Sequence, residues 1–77
     1  LSFKDKHALE TLPARMAELQ TEIENSQARL AEPDLFTRDP AAFETTASDL
    51  SRAEADLTQA EEDWLDLELK REEIEGI

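Results

Sequence analysis

From Leu12 onward the chain alternates steps of four and three between its apolar positions. Leu12, Met16, Leu19, Ile23, Ser26 and Leu30 follow this spacing with one polar member. After an interruption it resumes at Phe43, Thr46, Leu50, Ala53, Leu57, Ala60, Trp64, Leu67, Arg71 and Ile74. This is the heptad period of a seam between paired helices. Ser2, with Asp5 three residues on, marks a helix start. A short helix over about 3–11 is expected, with Phe3, Ala8 and Leu9 facing inward. Pro13 removes a backbone donor, so a kink or break is expected at Leu12-Pro13, followed by a helix to about residue 31. The stretch 32–39 reads as a loop containing Pro33. Asp39 and Pro40 then supply a cap and a first helical residue for a helix over about 40–75.

Two heptad helices joined by so short a connection must run antiparallel. Leu30 then faces Phe43, Ile23 faces Leu50, Met16 faces Leu57 and Leu9 faces Trp64, with Phe3 towards Ile74. This register also brings Arg29 near Glu44 and Glu22 near Arg52, weak surface pairs at best. The expected fold is all-α: an antiparallel two-helix coiled-coil hairpin, with a short, kinked N-terminal helix packed on the long last helix. At about 1.5 Å per residue the last helix is roughly 50 Å long.

Length and composition narrow this reading without changing it. The chain has 77 residues, one Gly, three Pro and no Cys, which leaves little turn material for strands and no disulfide or thiolate site. Nothing in it has the length of a membrane span or the form of a signal peptide. The chain starts at Leu1 without Met and is expected to be one domain, 1–77, excised from a larger protein.

Charge adds more. The net value is −12, and residues 39–77 carry thirteen acids against three bases. Such a shaft repels phosphate backbones and anionic membrane surfaces. The bases gather at the ends: Arg29 and Arg38 by the loop, and Lys4, Lys6, Lys70 and Arg71 at the other end. The second group is the anion-facing patch that the pattern allows.

Catalytic chemistry finds no foothold. The single glycine, Gly76, makes no phosphate loop, and the single histidine, His7, has no second imidazole or thiol beside it. The many carboxylates fall on outward heptad positions, where a solvated helix face is the ordinary reading. No metal or cofactor is expected in this piece. Leu65 and Leu69 lie beside the seam; they either bury against Phe3 and Leu9 or form a docking surface for the rest of the parent protein or a second copy. Leu35 and Phe36 either cover the open end of the core or present it to a partner.

The opening stretch, with Leu1-Ser2-Phe3-Lys4, Leu9-Glu10-Thr11-Leu12-Pro13 and the loop Glu32-Pro33-Asp34-Leu35-Phe36, resembles the C-terminal domain of bacterial ABC-F proteins of the Uup-like branch. Trp64, Leu67 and Glu68 extend the resemblance into the last helix. It implies a cytoplasmic, non-catalytic domain tethered behind two ATPase domains that would hold the ATP and Mg. It also implies a link to DNA binding and to the ribosome. With a net charge of −12, nucleic-acid contact is expected through the ends of the rod, at Lys4, Lys6, Lys70 and Arg71 or at Arg29 and Arg38. The other expectation is a protein-interaction module that docks on its own ATPase domains, or self-associates, through Leu35, Phe36, Leu65 or Leu69.

Overall fold

A computed structural model describes residues 1–76. Three helices follow one another: α1 (Phe3–Leu30), the single-turn α2 (Leu35–Arg38) and α3 (Pro40–Glu75). α1 and α3 pack side by side as an antiparallel hairpin, and α2 closes the bend against α3. The molecule is a rod of 57 × 18 × 14 Å.

The ends of the helices follow from local chemistry. The Ser2 hydroxyl accepts the Asp5 N–H at 3.1 Å, and the Asp39 carboxylate accepts the Ala42 N–H at 3.1 Å. Each satisfies one of the backbone donors that a helix start leaves open. Pro40 opens α3 where no donor is needed. At the far end Gly76 adopts φ 71°, the left-handed conformation that glycine reaches without a Cβ clash, and its N–H returns to the Glu72 carbonyl at 2.9 Å.

One expected boundary is absent. α1 is continuous from Phe3 to Leu30 with Pro13 inside it, so there is no separate short helix and no break at Leu12-Pro13. Pro13 is exposed while Leu12 and Met16 on either side are half-buried, so the ring lies on the solvent side of the helix. The packed face keeps its seam residues, and packing outweighs the missing backbone bond.

The seam is as the spacing predicts over most of its length. Leu19, Ile23, Ala53 and Ala60 are 1–7% exposed and form the core, with Leu12, Met16, Leu50 and Leu57 packed against it. The fully buried apolar positions are large on α1 (Leu19, Ile23) and alanine on α3 (Ala53, Ala60). Thr46, Phe43, Trp64 and Leu67 are buried or half-buried at the remaining positions. The pattern fails at the open end: Phe3 is 86% exposed and Ile74 56% exposed, so neither enters the core. Leu65 and Leu69, at 52% and 55%, do not bury against α1 either.

Residues 32–39 are not an irregular loop. α2 is held by Arg38 N–H to the Asp34 carbonyl and Asp39 N–H to the Leu35 carbonyl, both 2.8 Å. Leu35 is wholly buried in the bend. Phe36 stays exposed, its ring edge-on to Phe43 with centroids 5.3 Å apart.

Candidate nucleic-acid and protein interface

The open end joins the start of α1 to the last turns of α3. Lys70 Nζ donates to Asp5 Oδ2 at 2.8 Å, an ion pair across the two helices. Arg71 occupies a seam position and is half-buried there. Its guanidinium bonds Glu68 at 2.7 Å and Glu75 at 3.3 Å. Those two carboxylates, Glu68 first, raise the Arg71 pKa further above its ordinary value. Lys4 and Lys6 form no ion pair among the described residues. The four bases at this end thus divide into two that face acids and two that face solvent.

The bend is similar. Arg38 folds back on its own turn, 3.1 Å from Asp34 and 3.4 Å from Glu32. Arg29 is exposed and unpaired among the described residues, so the expected Arg29–Glu44 pair does not form. Glu22 and Arg52 line one shallow groove together, as the register requires, without closing to an ion pair. Of the two apolar residues in the bend, only Phe36 presents a surface, because Leu35 is spent on the interior.

The Asp5–Lys70 clip is the interaction that the sequence did not reveal. Asp5 was legible as a first-turn acid, yet its partner lies 65 positions away and depends on the exact facing of two helix ends. The hydrogen bond from Lys70 is the main cause that holds the Asp5 carboxyl below its ordinary pKa; partial burial opposes it, and the charge of Lys70 and the Ser2 hydroxyl add to it. A carboxyl with a lowered folded-state pKa adds stability above its unfolded value and loses it as the pH falls through the folded one. Asp5→Asn is therefore expected to be less stable than the parent at neutral pH, with the difference shrinking as the pH falls below about 4 and lost once it passes the lowered folded-state value. Denaturant titrations of both chains from neutral to acid pH measure it. A difference that is the same at every pH would show that the clip does not stabilise the hairpin.

Among the described residues no group of His, Asp and Glu could hold a metal ion, and the grooves along the hairpin are shallow and open. His7 stacks on the exposed Phe3 ring, centroids 6.3 Å apart, away from any second ligand. No described helix is long and apolar enough to cross a membrane.

Residues 1–69 match the family model described as "ABC transporter C-terminal domain". The ATP-binding protein Uup of Caulobacter vibrioides is 46% identical over 76 residues, covering 99% of this chain and 12% of that protein. Uup of Haemophilus influenzae is 36% identical over the same span and shares, and a Uup-like ATP-binding protein of that organism is 34% identical, with 17% of its length covered. No solved structure matches. The chain thus spans about an eighth of the length of the Uup relatives it matches. With nearly all of it covered by the family model and by the Uup relatives, the chain belongs to the ABC transporter C-terminal domain family, as a C-terminal domain of ABC-F proteins.

Proposed function

We propose that this hairpin is a non-catalytic accessory domain of a cytoplasmic ABC-F ATP-binding protein and that it contacts nucleic acid, DNA or ribosomal RNA, through its ends. ATP and Mg belong, on this reading, to the parts of the parent outside this chain. The observation that carries it is the placement of unopposed positive charge. Four bases face solvent without an ion pair among the described residues: Lys4, Lys6 and Arg29 lie near the two ends of α1, while Arg52 lies on the shaft in a groove it shares with Glu22, Asp49 and Asp56. The acidic shaft of α3 repels a phosphate backbone that approaches from the side, so contact is end-on. Lys70, Arg71 and Arg38 already hold carboxylates and contribute less.

The test is binding of a DNA duplex and of ribosomal RNA across a salt series. Changing Lys4 and Lys6 to Ala together should weaken binding on all sequences alike. It should also flatten the plot of log affinity against log salt by about 0.7–0.9 for each phosphate that is no longer neutralised. Lys70→Ala should do less. Binding that ignores both salt and the double substitution would overturn the reading.

A second reading, in which the domain docks on its own ATPase domains, has a separate support: Leu65 and Leu69 are more than half exposed on a helix whose other large apolar residues between Phe43 and Leu67 are covered. Cross-linking from these positions within the intact protein tests it.

A further inference from the structure

Leu65 and Leu69 lie one turn apart on α3, away from the seam formed by Trp64, Leu67 and Arg71. On a helix the side chains three and four positions away are the ones that touch. For Leu65 these are Glu61, Glu62, Glu68 and Leu69; for Leu69 they are Leu65, Asp66, Glu72 and Glu73. The two leucines therefore share an edge ringed by six carboxylates, with no base at any of those positions. Of the six, Glu68 alone is held by a cation among the described residues, through Arg71, while neighbouring Lys70 is turned to Asp5.

We propose that this face is a docking site for a basic amphipathic helix: a protein segment whose apolar side chains, spaced one turn apart, cover Leu65 and Leu69 while flanking Lys and Arg pair with the ring. The charge selects the occupant. A second copy of this chain, also at −12, would press one acidic ring against another. Nucleic acid and anionic membrane surfaces are repelled for the same reason. An apolar pair inside a single-sign ring discriminates by repulsion as well as attraction. This goes beyond docking on the parent's ATPase domains and does not depend on it, since the chemistry of the segment is specified whatever chain carries it.

The test uses the 77-residue chain and three labelled peptides of about five helical turns. One has leucine on one face and lysine elsewhere, the second has the same lysines with glutamine in place of leucine, and the third has leucine with glutamate. Fluorescence anisotropy is expected to show binding of the leucine–lysine peptide alone. That binding should fall about tenfold or more in the double variant Leu65→Gln, Leu69→Gln, which leaves the net charge unchanged. It should also fall in Glu62→Gln, Glu73→Gln, which leaves both leucines in place. Circular dichroism confirms that the variants keep their helices. Equal affinity for the leucine–lysine and glutamine–lysine peptides, or no change in the leucine variant, would reduce the interaction to unspecific ion pairing and overturn the proposal.

Discussion

Leu19→Ala is expected to cost roughly 2–5 kcal/mol and to leave the hairpin partly unfolded near ambient temperature. Leu19 is 1% exposed and lies in the centre of the seam, among Ile23, Ala53 and Ala60. The buried core residues on α3 are alanines, too short to fill the space left behind, and the larger Leu50 and Leu57 are already packed against that core. The cost should therefore include the cavity as well as the forfeited transfer of the isobutyl group from water. A chain of this length has a total stability of roughly 4–11 kcal/mol, and a two-helix core lies towards the low end. At about 4–8 °C per kcal/mol for a domain this small, the melting temperature should fall by about 10 °C or more. Leu65→Ala is the matched control: the same chemical change at a residue more than half exposed should stay within about 0.5 kcal/mol. Melting both variants by circular dichroism separates them. If the two variants melt alike, the core does not lie where the heptads place it.

That contrast also marks how far the sequence could be read. Leu65 and Leu19 are the same residue, and only the alternation of four and three tells them apart. It did so correctly from Leu12 to Leu67, because a seam residue is defined by periodicity, which a single sequence displays in full. Ser2, Asp39 and Pro40 were legible for a related reason, since caps are local and need only a hydroxyl or carboxylate three residues from a free N–H. The misread features depend on what lies across from a residue. Pro13 looked like a break, but its ring falls on the exposed side of a helix whose other side is fixed by α3. Ile74 continues the pattern, yet α1 has no residue left opposite it; Phe3 lies off the four-three spacing and stays exposed, stacked on His7 of its own helix. The candidate interface residues were legible only as positive or apolar. Whether Lys70 is free or held by Asp5, and Arg38 by Asp34 and Glu32, depends on side-chain facing that composition does not encode.

Leu35→Ala should behave differently from Leu19→Ala, although Leu35 is equally buried. A single helical turn has no stability of its own, because one turn's hydrogen bonds do not offset the cost of ordering it. α2 is therefore held in place by what it buries, and that is chiefly Leu35, at 0% exposure, with the Phe36–Phe43 edge-on pair in support. Removing the side chain would cost roughly 2–5 kcal/mol if the bend stayed rigid, but the bend can open instead and let the seam survive. Backbone amides of residues 32–39 should then exchange about 30-fold faster or more, while those around Leu19 keep most of their protection. Opening also takes Arg38 from Asp34 and Glu32. If the bend is one of the ends that meet nucleic acid, freeing Arg38 should steepen the salt dependence of binding by about 0.7–0.9, the opposite direction from the Lys4 and Lys6 substitutions. Hydrogen exchange that stays slow at 32–39 would show that Leu35 is not the anchor. Exchange that rises equally along both long helices would make the bend part of the same cooperative unit as the seam, and the hairpin could not then release its tip without unfolding.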